Sequence, residues 1–386
     1  MHDTVVGSLF LIFTGAAVLA TVALYTRQPL LVAYIALGAL LGPFGVELVT
    51  DARLLSEISE FGIVFLLFLI GLDLPPSKLK NMFGETLLTA LGTTVVFFAV
   101  GYGLMLTFGF SQIEAIVTGV ACVFSSTIMG IKLLPTTVLH HRHIGEIVVS
   151  VLLIQDLLAI CALIWLTGSG DEPLTQLGTA ALALPIMIGF AYVAVRWVIL
   201  PLLTRYDAFK EFLFLLALGW CLGLASLAEA VGLSHAIGAF IGGVSLATSP
   251  ISQYIAENLR PLRDFFLVLF FFSVGAGINP ALLLEVAVPA ALLGVLLIAI
   301  KPLVFAKLLQ WQNEADGAGW EVGFRLGQAS EFSLLVSYTA LATAIISSEA
   351  AHVIQGATIL TLIVNSYLVI FRYPTPIAIS DRLRRD

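Results

Sequence analysis

Four places in this apolar chain carry groups that could do chemistry. Gln155-Asp156 sits in the middle of IGEIVVSVLLIQDLLAICALIWLTG, residues 144–168. Phe124-Ser125-Ser126-Thr127 and Gly327-Gln328-Ala329-Ser330-Glu331 interrupt two further apolar runs, and Lys301 stands in AIKPLVF before Pro302. A carboxylate at mid-bilayer depth costs roughly 2.5–3.5 kcal/mol on insertion scales, so Asp156 implies a use. It either exchanges a proton for a monovalent cation or stays in a permanent salt bridge with a fixed cation such as Lys301. Gln155 lies about 100° round a helix from Asp156 and cannot titrate; its amide can supply a carbonyl ligand or orient the carboxylate. Ser125, Ser126 and Thr127 offer hydroxyls and freed carbonyls suited to a partly dehydrated alkali cation, or serve as polar glue between helices. Glu331 and Lys301 are expected to form an ion pair or network that keeps the core neutral, with Arg325 balancing Glu331. His140, His141 and His143, beside Arg142, are either a pH-reporting cluster or an ordinary solvated loop.

The elements that must position these groups are membrane spans. The chain is 59% hydrophobic and 11% charged, where a soluble domain carries roughly 25% charged residues. Continuous rather than alternating apolar runs argue for helices and against a barrel. Thirteen spans are expected, near 7–24, 29–43, 58–72, 86–108, 112–133, 144–168, 174–200, 211–230, 235–247, 265–278, 281–309, 319–346 and 352–372. Cys122, Cys161 and Cys221 lack ligand-like spacing and read as buried packing residues. With the C-terminus placed in the cytoplasm, fourteen Lys and Arg lie inside or at the inner edge and only Arg53 lies outside. That puts the N-terminus outside.

The two halves repeat at an offset of 204. Gly71 falls on Gly275, Phe68 on Phe272, Pro76 on Pro280, Gly119 on Gly323 and Ser126 on Ser330. The two interrupted segments therefore occupy corresponding places in halves of opposite topology, which is the best sequence pointer to a transporter's binding site. The domain reading is 1–80 as dimerisation spans 1–3, 81–170 as core spans 4–6, and 171–205 as a linker span. It continues with 206–280 as dimerisation spans 8–10, 281–373 as core spans 11–13, and 374–386 as a cytoplasmic tail.

GIVFLLFLIGLDL, VLLIQDLLAI, HAIGAFIGGVSLATS, LFFFSVGAGIN and LGQASEFSLLV together resemble the Kef-type potassium efflux antiporters of the second monovalent cation:proton antiporter family. The resemblance runs over nearly the whole chain. It implies a homodimer of all-α, thirteen-span protomers in a bacterial inner membrane, with two crossed broken helices in each ion-carrying core. It makes Asp156 the carboxylate that binds potassium or sodium, Gln155 its neighbour, and Glu331 and Lys301 the other core charges. Kef-type systems usually continue into a cytoplasmic nucleotide-binding regulatory domain; this sequence stops at Asp386, either cut ahead of such a domain or as a naturally short relative, so the resemblance implies a regulatory domain or subunit outside it as a partner. The loop Ser249 to Asp264 follows their acidic regulatory loop only in part, keeping Glu257 but adding Arg260 and Arg263.

The expected function is secondary antiport of a monovalent cation, potassium foremost, for a proton at Asp156. Relatives with two adjacent acids can carry an extra proton; Gln155 removes the second acid, which implies electroneutral one-for-one exchange. Sodium/proton antiport and a cation channel are the alternatives. No Walker A, GxGxxG or nucleophile-elbow pattern occurs, so no enzyme activity, cofactor or nucleic-acid partner is expected; membrane lipid is.

Overall fold

A computed structural model describes residues 5–49, 52–72, 86–126, 130, 143–167, 173–206, 209–231, 233, 235–247, 252–314 and 316–375. Each of the thirteen expected apolar segments holds helix. The helices are α1 (Val5–Tyr25), α2 (Leu30–Leu41), α3 (Ala52–Leu72), α4 (Thr86–Thr107), α5 (Gln112–Val123), α6 (His143–Thr167) and α7 (Pro173–Ala194). They continue as α8 (Leu200–Arg205), α9 (Lys210–Ala230), α10 (His235–Ala247), α11 (Ser252–Ala276), α12 (Pro280–Glu285), α13 (Ala287–Trp311), α14 (Asp316–Arg325), α15 (Glu331–Ala342) and α16 (Ser348–Arg372). Six described helices are long and apolar enough to cross a bilayer, and five apolar helices are shorter. Large apolar side chains such as Phe10, Val95, Ile186, Trp197 and Phe371 stay exposed, as lipid-facing residues must.

Local chemistry fixes several boundaries. Ser111 and Glu114 close a capping box at the start of α5. Asn279 caps α12 ahead of Pro280, and Ser347 caps α16. The span expected at 174–200 passes through a π turn, Val195–Ile199, just before Pro201, which has no N–H to continue regular pairing.

Three expectations change. The stretch expected as an inner loop up to Asp264 is helical from Ser252, because Ile255, Ala256 and Leu259 bury one face while Glu257 and Asn258 stay outside. The span expected at 281–309 is two helices joined at Val286. Cys161 is exposed on α6, whereas Cys122 and Cys221 are buried as expected.

The chain packs as two compact units. One comprises residues 1–50, 82–166 and 274–386; the other 51–81 and 167–273. In the second unit, α3 packs along α10, with Gly71 against the backbone of Phe240 and Val244. In the first, α4 packs on α5, and α13 packs on both α14 and α16. Gly119 and Gly323 each sit where two helices approach closely. A Cβ on Gly119 would lie 2.9 Å from Phe98 O, and one on Gly323 would lie 2.6 Å from Pro302 O. Phe98 and Pro302 are themselves 204 apart, so the repeat read from the sequence extends to its packing partners.

Candidate functional site

The site is built from two helices that stop inside the first unit. Helix α5 ends at Val123, and Phe124, Ser125 and Ser126 run on without helical geometry. The chain turns helical again as Gly130 N–H donates to Ser126 O at 2.9 Å. In the second half α14 ends at Arg325, residues 326–330 are unwound, and α15 starts at Glu331. Ser330 caps α15: its Oγ accepts from Phe332 N–H at 3.1 Å. Ser126 and Ser330, matched in the repeat, both lie at the breaks. Thr127 lies outside the described residues, as do His140, His141 and Arg142. Of His143 only the backbone, at the start of α6, is described.

The two breaks are tied to each other. Ser125 Oγ donates to Leu326 O at 2.8 Å, and Ser333 Oγ donates to Ala121 O at 2.6 Å. Each break is also held by the last helix of its own half. Ser125 N–H donates to Gln155 Oε1 on α6 at 2.9 Å, and Ala329 N–H donates to Thr361 Oγ1 on α16 at 2.9 Å. Ser125 and Ala329 are again 204 apart. Backbone groups freed by unwinding thus find polar side chains, as a dry interior requires.

Lys301 joins the two breaks. Its side chain is fully buried, and Nζ donates to Phe124 O at 2.6 Å, to Ser125 Oγ at 3.3 Å and to Gln328 O at 3.2 Å. Those bonds use all three of its N–H donors. Nζ also lies 5.0 Å from the centroid of the Phe97 ring, a cation–π contact. This corrects the expected ion pair, since the hydrogen bonds of Lys301 go to neutral oxygens. The reason is electrostatic. Phe124 follows the C-terminal end of α5 and Gln328 follows that of α14, and each helix end carries about half a negative charge. Two such ends match one ammonium without a carboxylate.

Arg325 also departs from expectation. It is buried, and its Nε and Nη2 both donate to Glu321 Oε1, at 3.0 and 2.7 Å, while Nη2 also donates to Pro374 O at 2.9 Å. Its ion pair with Glu321 lies within α14, a partner the sequence reading did not single out. Glu331 is itself buried, in the first turn of α15, where the positive helix end favours a carboxylate.

Asp156 is 4% exposed and follows Gln155, whose Oε1 holds Ser125 N–H; Gln155 Nε2 has no acceptor among the described residues. The structure therefore brings Gln155, Ser125 and Lys301 into one connected group, with Asp156 one residue away, Ser126 at the first break and Glu331 at the start of α15. Sequence reasoning missed Gln328, Ser333, Thr361 and Asn365 as members. Their signal was present: each is a polar residue in an apolar span, and Gln328 lay in a motif already singled out.

Interrupted helices cross-linked beside a buried carboxylate define an ion-coupled membrane carrier. The sequence profile described as "Sodium/hydrogen exchanger, transmembrane" matches residues 9–371, and the chain belongs to that family. It is a multi-pass cation:proton antiporter, a secondary transporter rather than an enzyme. A relative named "Iron transporter MagA", from Paramagnetospirillum magneticum (strain ATCC 700264 / AMB-1), is 28% identical over 348 residues, 88% of this chain and 79% of that protein. The sodium proton antiporter MjNhaP1 of Methanocaldococcus jannaschii at pH 8 has the same fold. Its TM-score is 0.70 at 16% identity, over 94% of this chain and 95% of that one. A second structure of MjNhaP1, from electron microscopy, gives 0.66 at 16% identity over 94% of each chain.

Proposed function

We propose that the chain exchanges potassium for protons, one for one and electroneutrally, by alternating occupancy of Asp156. The observation that carries this reading is the arrangement around that residue. Asp156 is a buried carboxylate on α6, next to Gln155, which binds the first helix break, and Lys301 spans both breaks through neutral oxygens. Ser125 and Ser126 at the break, with Thr127 next in the sequence, have hydroxyls that offer neutral oxygen ligands to an alkali cation. Gln155, with its Oε1 engaged by Ser125 N–H, fixes the break against α6 and adds no second acid. One acid carrying one positive ion at a time couples the two fluxes, because a ligand shifts only the states it distinguishes.

Sodium is the second reading, favoured by the family and by the fold shared with a sodium proton antiporter. The relative named as an iron transporter makes ferrous iron a third cargo to test. We place the protein as a homodimer in a bacterial inner membrane, N-terminus outside and C-terminus in the cytoplasm. Its ion-carrying core comprises 81–170 and 281–373, and Glu331, Lys301 and Arg325 serve as its fixed charges. The experiment is proton flux in proteoliposomes driven by gradients of potassium, sodium, rubidium, lithium or ferrous iron. Potassium should drive the fastest flux, and Asp156→Asn should abolish it. Normal exchange by Asp156→Asn would overturn the mechanism.

A further inference from the structure

Resting on that reading, we propose that Gln328 and Asn365 are positioning residues that set where the Lys301 ammonium stands. Both belong to the polar network that holds the breaks, neither is among the proposed cation ligands, and both are almost fully buried. The side chain of Gln328 folds back along its own unwound segment. Its Nε2 donates to Arg325 O at 2.9 Å, and its Oε1 accepts from Asn365 Nδ2. The same Nδ2 donates to Phe324 O at 2.8 Å. Two amides thus occupy carbonyls at the C-terminal end of α14 that would otherwise be open to any cation in the core. What remains for Lys301 is the backbone carbonyl of Gln328, at 3.2 Å.

The chain of contacts runs from α16 through Asn365 to the Gln328 side chain, then along one residue of backbone to the Gln328 carbonyl and Nζ. It has a geometric consequence. Phe124 O and Ser125 Oγ hold the ammonium at the first break, while Gln328 O draws it to the second. Without the Asn365 amide, Gln328 Oε1 loses its donor in a dry interior while Phe324 O keeps only Gly327 N–H at 3.3 Å, and the unwound segment must move to satisfy the Gln328 amide. Gln328 O then leaves Nζ, and the ammonium has an N–H to spare beside a carboxylate-bearing helix. An ammonium freed in this way competes with the transported cation for the same negative charge. The pair therefore sets apparent cation affinity through Lys301, without touching the cation.

The test is cation-driven proton flux in proteoliposomes for wild type, Asn365→Ala, Gln328→Ala and the double variant, with potassium chloride and, in parallel, sodium chloride. Thermal unfolding is measured on the same samples. Each single variant is expected to raise the apparent KM for the driving cation roughly three- to ten-fold while the maximal rate stays within about two-fold, and the double variant should be no worse than either single one, as residues acting through one contact are non-additive. An unchanged KM with a lowered unfolding temperature would reduce both residues to structural ones and overturn the proposal, as would additive effects. Gln328→Glu keeps the acceptor for Asn365 and nearly the same volume. If the alanine variants fail to fold, it should show a smaller rise in KM, and an unchanged KM there is equally fatal. Flux in wild type separates the two claims: its absence condemns the antiport reading, whereas normal flux with unmoved variants condemns only this one.

Discussion

Lys301 stands in a dry interior with its Nζ facing two backbone carbonyls and a serine hydroxyl. A buried ammonium without partners would be prohibitive, and three short donations to oxygens at two helix ends remove that cost. Lys301→Met should therefore destabilise the protein strongly, since two buried carbonyls lose their donor at about 1–3 kcal/mol each. Thermal unfolding in detergent reads this directly, and an unchanged unfolding temperature would contradict the assignment. The burial of Asp156 on a long helix was legible in the sequence, because the residue lies in the middle of an apolar run. The partners of Lys301 were not legible, because they are carbonyls, and every residue has one. Asn365 and Thr361 escaped notice for a related reason. A single amide or hydroxyl in an apolar helix looks tolerable until the broken backbone it serves is seen.

At the scale of elements, the two interrupted helices carry the account, and glycine lets them sit where they do. Gly323 lies so close to Pro302 O that a valine there would force α14 off α13, and the same holds for Gly119 against the backbone of α4. Gly119→Val and Gly323→Val should each yield aggregated or inactive protein. Gly103→Ala, with open space at its Cβ, should elute as a single peak on gel filtration. A milder change tests the restart of the second break. Ser330→Ala removes the cap of α15 and should cost about 1 kcal/mol of stability. The breaks were legible because Gly, Ser and Gln interrupt otherwise apolar runs, and the offset of 204 linked them before any packing was known. The helical course of Ser252 to Asp264 was hidden by its charges. Glu257 and Arg263 read as loop, yet Ile255, Ala256 and Leu259 supply a face that packs.

For the whole molecule, the proposed one-for-one exchange has a consequence for charge movement. If each cycle carries one cation in one direction and one proton in the other, no net charge crosses. Imposing a membrane potential of either sign, with the ion gradients clamped, should leave the exchange rate unchanged, whereas each elementary charge moved would feel about 2.3 kcal/mol per 100 mV. The repeat makes the same point in structural terms. Asp156 sits on the last long helix of the first half, and the corresponding helix of the second half offers Thr361 to its break. At the position matching Asp156 in the repeat, residue 360, the second half has leucine.

The most direct test is the pH dependence of the apparent KM for the driving cation, measured from proton flux in proteoliposomes held at equal pH on both sides. If proton and cation compete for one carboxylate, the KM should rise about tenfold for each pH unit of acidification below the carboxyl's own titration, with the maximal rate unchanged at saturating cation. A KM independent of pH, with only the maximal rate falling in acid, would contradict a shared site at Asp156.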